Sequence, residues 1–261
     1  MEQRVKIPGS YDVVGDIAII ELSDAAMPQR RKIANALMER HKNIRTVLLK
    51  LAGRKGTYRV RGYEHLAGQR KTRTTHAESG CRFAVDVARA YFSVREGSER
   101  LRIARYVKDK ERVLVMFAGV GPYAIIIAKQ KDAEVCAIEM NPVACSSMQA
   151  NVRTNKVMHR VFPYCGDVRT IAPKLGLFDR VVMPLPKEGY MYLDVALRVL
   201  KKGGIVHFYS VEPKEDLWKN PLEQLTRAAQ KATRRVHILD KHIVLPYAPR
   251  VYKVCVDARV D

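Results

Sequence analysis

Two glycines and two carboxylates, spaced along the second half of the chain, could together hold a nucleoside. Gly119-Val-Gly121 follows an apolar run from Val113 to Met116 and precedes the helical pattern Ala124–Gln130. Glycines at that place let a turn pass close beneath a ligand. Twenty residues beyond Gly119 the next apolar run, Val135–Ile138, ends on Glu139. A carboxylate there can take both hydroxyls of a ribose. A third run ends in Gly166-Asp167, where an acid suits the exocyclic amine of an adenine. The glycine spacing alone is equally that of an ordinary turn, so the surrounding elements decide between the two.

Those elements alternate regularly. After the first strand and helix, Asn141-Pro142 opens a long helix to about Lys156, with proline placed where a helix start favours it. Further strands are predicted near 160–164, 180–183 and 205–209, with helices near 190–200 and 217–231. Two closing strands, near 236–244 and 252–257, read as a hairpin. The expectation is a doubly wound, seven-stranded Rossmann-like α/β sheet over 101–261, preceded by a small basic α+β domain with its connecting segment over 1–100. In such a sheet ligands bind beyond the carboxyl ends of the strands. This directs attention to Phe117, Gly119 and Gly121, to Glu139 and Met140, to Asp167, and to Pro184 and Pro186 of Met183-Pro-Leu-Pro186. No separate catalytic domain follows the seventh strand, so S-adenosylmethionine is expected here rather than a dinucleotide. Its sulfonium makes the attached carbon electrophilic, leaving the protein to align a nucleophile and manage a proton.

The formal net charge is +20, shared between residues 1–110 (+12) and 111–261 (+8). A cationic body rather than a basic tail favours a polyanion such as nucleic acid. The densest stretch carries Arg54, Lys55, Arg59, Arg61, Arg70, Lys71 and Arg73, with Tyr58 and Tyr63 interleaved. Phosphate contacts with stacked bases would suit that composition; a solvated hairpin face would suit any single member as well. The five cysteines form no Cys-x-x-Cys pair, so neither zinc nor a disulfide is expected, only free thiols. No apolar run reaches the roughly 20 residues of a membrane span and no signal layout opens the chain, so a cytoplasmic monomer is expected.

Several stretches, in this order, carry a resemblance: GDIAII, HKNIRTVLLK, GTYRVRGYEHLAG, ESGCRFAVDVARAYFS, SERLR, FAGVGPYAI, NPVA, GDVR, MPLP and YAPR. From about Tyr11 to Asp261 the chain resembles the archaeal and eukaryotic tRNA (guanine-37 N1)-methyltransferases. The resemblance implies a class I methyltransferase domain, a small RNA-binding domain gripping the anticodon stem-loop, and methyl transfer from S-adenosylmethionine to N1 of guanosine 37. It also implies roles: Glu99 as the base for the N1 proton, Arg59 as the stabiliser of charge on O6, and Tyr91 as a positioning group. Arg100, beside Glu99, joins the expected RNA contacts. From the residues alone, Glu99 could simply pair with Arg95 or Arg102, and Tyr91 could be core.

Three features depart from the family pattern. Val115 stands where a strand carboxylate is usual. Pro184-Leu-Pro186 replaces Asn-Leu-Pro, removing an amide that helps hold the guanine. The family's extra N-terminal domain is expected to be absent. Two alternatives follow: the aminocarboxypropyl transferase of wyosine synthesis, and a tRNA-binding relative whose catalysis is weakened.

Overall fold

A computed structural model describes residues 7–55 and 60–261. They belong to two compact units, 1–94 and 95–261. Glu99 and Arg100 therefore fall in the second unit.

The first unit is built on the sheet β1 (Asp12–Val14), β2 (Ile17–Ile20), β3 (Thr46–Lys55) and β4 (Val60–Gly68), in that spatial order. Gly15 turns the β1–β2 hairpin at φ +56°, and a Cβ there would collide with Thr74 and the Thr75 backbone. Strands β2 and β3 are parallel, which demands a crossover. Helix α1 (Arg30–Arg40) supplies it, burying Ile33, Ala34 and Leu37 against Val47, Leu49 and Leu66. A hairpin of β5 (Arg73–Glu78) and β6 (Cys81–Asp86) follows, with Cys81, Phe83 and Val85 facing inward at the two-residue period.

The second unit opens with α2 (Gly97–Tyr106), β7 (Arg112–Met116), α3 (Pro122–Gln130) and β8 (Glu134–Glu139). Next come α4 (Pro142–Thr154), β9 (Val161–Cys165), the short α5 (Val168–Ile171), β10 (Phe178–Met183) and α6 (Leu193–Arg198). The unit closes with β11 (Leu200–Pro213), α7 (Lys219–Lys231), β12 (Val236–Ala248) and β13 (Val251–Val260). Their spatial order is β12-β13-β11-β10-β7-β8-β9. β7 to β11 are mutually parallel, while β13 lies antiparallel between β11 and β12. The strand order reverses between β7 and β10, so the crevice of the sheet opens beyond the carboxyl end of β7. Helix α3 is buried along most of its length, Pro122 to Ala128, as a helix covered by sheet and neighbours must be. Among the described residues no helix is long and apolar enough to cross a membrane.

Two expectations are corrected. Cys145 on α4 and Cys165 at the end of β9 are joined in a disulfide, their Cα atoms 5.7 Å apart; Cys81, Cys136 and Cys255 are free and buried. The pairing left no spacing signal, because β9 returns beside α4 only once the sheet has formed. Arg100 is 2 % exposed on the inner face of α2, with Glu99, Ile103 and Ala104. Helical periodicity turns it away from solvent, which removes it from the expected phosphate contacts.

Candidate active site

The turn after β7 is left-handed at Phe117 (φ +55°), Gly119 (φ +58°) and Gly121 (φ +89°). A Cβ on Gly121 would approach Met148 Cγ to 2.9 Å, so this turn requires glycine for space as well as for dihedral. Gly119 N donates to Glu139 Oε2 at 2.7 Å, and Asn141 N donates to Oε1, also at 2.7 Å. The glycine turn and the acid beyond the next strand are thus one hydrogen-bonded unit. Asn141 caps α4, its Oδ1 accepting from Val143 N at 3.0 Å. Gly166 N donates to Glu139 O at 2.9 Å and ties in the end of β9. Burial pushes the Glu139 carboxyl above its usual range against the pull of these amides. Each oxygen of the carboxylate keeps a lone pair suited to a hydroxyl donor.

Around this core, Phe117 meets Tyr192 edge-on at 4.9 Å, and the Arg169 guanidinium stands 5.4 Å from the Tyr192 ring. Asp167 caps α5 by accepting from Arg169 N at 2.8 Å and also holds the Arg169 side chain, which lowers its pKa. An adenine amine at Asp167 would share the carboxylate with Arg169. Met140 is exposed beside Glu139, offering an apolar surface to a base. Pro184 and Pro186 follow β10 and carry no side-chain donor, while Leu185 N returns to Met183 O at 2.7 Å. Val115 is fully buried between Ala137 and Val182 of the neighbouring strands. A carboxylate side chain is therefore lacking at the floor of the crevice.

Glu99 has a different setting. It is 1 % exposed, and Arg102 donates to both its oxygens, Nε to Oε2 at 2.7 Å and an Nη to Oε1 at 2.8 Å. The Tyr209 hydroxyl donates to Oε1 at 2.5 Å, and His242 Nε2 lies 3.6 Å from Oε2. Oε2 therefore has capacity for one further donor. Of the two readings left open by the residues, the ion pair with Arg102 is present here.

Arg102 continues to Asp257 Oδ2 at 2.5 Å, and Asp257 Oδ1 meets His207 Nδ1 at 2.6 Å. His207 Nε2 faces Arg180, which reaches Glu111 at 2.8 Å. Arginine can only donate, so His207 Nε2 accepts and its proton sits on Nδ1, pointing at Asp257. Burial holds the imidazole pKa below its ordinary value, consistent with that neutral form. Burial alone would raise Asp257, but His207 and Arg102 overcome it and hold the acid far below the usual carboxylate range. His207, Cys255 and Asp257 converge within 4.8 Å, yet the guanidiniums of Arg102 and Arg180 fill the cationic role there.

Arg102 was singled out only as an ion-pair partner for Glu99, and none of Tyr209, Asp257, His207 or Arg180 was singled out by sequence reasoning. The available signal was polar residues inside apolar strands, as in Gly204-Ile-Val-His-Phe-Tyr209.

In the first unit, Arg61 and Tyr91 share a recess with Lys50, Tyr63 and Phe92. Tyr91 is 45 % exposed, which removes the core reading for it. Lys50 is ion-paired with Glu21. Lys71 and Arg73 lie instead along an open groove with Asp16 and Thr74. Lys71 is bound to Asp16 at 2.6 Å and Arg73 to Asp86 at 3.3 Å, so both have structural partners. Arg70 is exposed. Arg59 lies outside the described residues, and Arg54 and Lys55 are placed only as the last two residues of β3.

A seven-stranded sheet of this order, with its glycine turn and acid after the second parallel strand, defines a class I methyltransferase domain. Comparison with known proteins narrows the class. Residues 74–239 match the TRM5/TYW2 methyltransferase domain and residues 1–72 the TYW2 N-terminal domain. The chain belongs to the TRM5/TYW2 family. It is 38 % identical to the tRNA (guanine(37)-N(1))-methyltransferase Trm5b of Pyrococcus abyssi, over all of this chain and 77 % of the relative. It is 32 % identical to the tRNA 4-demethylwyosine(37)-methyltransferase Taw21 of Saccharolobus solfataricus, over 96 % of this chain and 93 % of the relative. Among solved structures, the complex of aTrm5 with tRNALeu matches with a TM-score of 0.86 at 35 % identity, covering 98 % of this chain and 73 % of the other.

Proposed function

We propose that this protein transfers the methyl group of S-adenosylmethionine to N1 of guanosine 37 in tRNA. The observation that carries the reading is the Gly119–Glu139–Asn141 unit, a ready ribose clamp at the crevice of a sheet shared with relatives named for position 37. Glu139 takes the ribose hydroxyls, Met140 and Asp167 face the adenine, and Phe117 with Gly119 and Gly121 shapes the turn beneath the cofactor. The cofactor supplies the electrophilic methyl group. Within the chain the remaining work is proton management. Glu99 Oε2 has room for one more donor, and in this reading the guanine N1–H is that donor. Arg102 and Tyr209 hold the carboxylate for the approach. Arg59 steadies charge on O6, Tyr91 orients the base, and Arg61 beside Tyr91 contacts the anticodon stem-loop together with Arg54, Lys55 and Arg70.

A second reading has a specific observation behind it. Pro184 lacks the amide that would grip a guanine, and the relative named for 4-demethylwyosine matches this chain over nearly its whole length. The alternative is methyl transfer to that tricyclic base at the same position.

Mass spectrometry of nucleosides separates the two. A tRNA transcript with guanosine 37 and a tRNA bearing 4-demethylwyosine are each incubated with protein and S-adenosylmethionine. The expected product is 1-methylguanosine, absent when guanosine 37 is replaced. Methylation of the tricyclic base alone selects the second reading, and an aminocarboxypropyl adduct rejects methyl transfer. Glu99→Gln should lower turnover by about 10²-fold or more, with cofactor binding retained as evidence of folding; unchanged turnover removes Glu99 from the role.

A further inference from the structure

The loop after β10 has two faces. Its inner end packs Tyr192 against Phe117. At its outer end Lys187 Nζ lies 5.1 Å from the centroid of the Tyr247 ring. Tyr247 begins Tyr247-Ala-Pro-Arg250 at the tip of the β12–β13 hairpin, a stretch with no role in the mechanism above. Strand β13 is antiparallel to both β11 and β12, so this tip stands at the carboxyl end of the parallel strands, the end that carries the cofactor loops. Pairing of Pro213 with Val251, Lys214 N donating to Arg250 O at 2.8 Å, and an Arg250–Glu215 ion pair hold the tip in place. Tyr247 is 37 % exposed, and Tyr190 and Met191 on the same loop are 49 % and 51 % exposed.

We propose that Lys187 and Tyr247, flanked by Tyr190 and Met191, form a docking site for an unpaired nucleotide of the substrate tRNA, its base on the Tyr247 ring and its phosphate at Lys187. This rests on the reading of tRNA as substrate. A target base drawn into the crevice to meet Glu99 leaves its stack, which exposes the faces of its neighbours. An aromatic ring at the rim of the crevice restores stacking to one of them without regard to sequence. A lysine beside it gives the phosphate a point charge, which a chain of net charge +20 is suited to do. The site is continuous with the cofactor side, because one loop, residues 184–192, touches both Phe117 and Tyr247.

The test measures tRNA affinity by fluorescence anisotropy for wild type, Tyr247→Ala and Tyr247→Trp, with intact tRNA and with tRNAs made abasic at position 36 or 38. Tyr247→Ala should bind intact tRNA about tenfold more weakly, Tyr247→Trp should bind as wild type, and S-adenosylmethionine affinity should stay unchanged in both. One abasic tRNA should lose the same factor with wild type and lose nothing further with Tyr247→Ala. Lys187→Ala, at an exposed position, should lower the slope of log K against log salt by roughly 0.7 to 1; it gives the result even if Tyr247→Ala fails to fold. Wild-type affinity in Tyr247→Ala with an unchanged salt slope in Lys187→Ala overturns the proposal, as does a loss that adds in full to that of every abasic tRNA. If wild-type protein neither binds nor modifies tRNA, it is the parent reading that falls, and the mass spectrometry reports that separately.

Discussion

Two regions of the second unit hold a glutamate in opposite ways. At the crevice beyond β7, Glu139 is half-buried and gripped by backbone amides of Gly119 and Asn141. Beneath α2, Glu99 is fully buried and gripped by side chains, in a chain of groups that runs through Arg102, Asp257 and His207 to Arg180 and Glu111. Backbone donors come with the fold and survive most substitutions nearby. Side-chain partners are mutually dependent, because removing one leaves the next buried and unpaired.

That contrast breaks most visibly at Arg102. Arg102→Leu leaves Glu99 and Asp257 without their shared cation, and the expected loss is about 3–5 kcal/mol of folding stability, read from urea unfolding midpoints. A loss below about 1 kcal/mol would show that the chain of charges is not energetically coupled. The crevice has its own cross-link in Cys145–Cys165, which closes a segment of sequence separation 20. Reduction should cost about 3 kcal/mol, and the Cys145→Ala/Cys165→Ala variant should be insensitive to reductant. Alkylation after unfolding checks the pairing directly: three thiols should react without reductant and five with it.

A smaller effect is expected in the glycine turn. Gly121→Ala adds a Cβ at φ +89° against Met148. The strain is about 1–3 kcal/mol, and it should appear together with weakened cofactor binding. If binding by titration calorimetry is unaltered, the turn does not lie beneath the cofactor.

The same contrast explains what the sequence revealed. The placement of Gly119, Glu139 and Asp167 at or just beyond strand ends was legible, because the apolar runs mark those ends. The buried chain of charges was not, since its members come from α2, the residue before β7, β10, β11 and β13 and meet only when the sheet order is known. The inward face of α2 was not legible either: Glu99 and Arg100 look like surface residues until Ile103 and Ala104 fix the buried side. The Cys145–Cys165 pair was hidden for the same reason. The roles given to Tyr91 and Arg59 came from resemblance, although Arg59 also belongs to the densest basic stretch.

Acid titration yields the smallest effect and the sharpest separation, because the two regions respond with opposite sign. His207 has a folded pKa below its ordinary value of about 6.5. As pH falls through 6.5 the unfolded chain takes up a proton that the folded chain refuses, so stability is intact above 6.5 and declines below it. Asp257, also depressed, adds a second decline that begins near pH 4. Glu139 is raised by burial, so its contribution is present below about pH 4.3 and is lost as pH rises through its folded value. Unfolding measured at steps from pH 4 to 8 isolates each group by difference. His207→Gln keeps one donor for Asp257 and one acceptor for Arg180 but cannot titrate, so it should lack the wild-type decline between pH 6.5 and 5. Glu139→Gln should remove a slope of the reverse sign. Parallel curves for His207→Gln and wild type would mean that the imidazole takes up its proton equally in the folded and unfolded chains; a wild-type stability that instead falls as pH rises through 6.5 would mean that it is charged when folded, and the direction of every hydrogen bond from Arg180 to Asp257 would have to be redrawn.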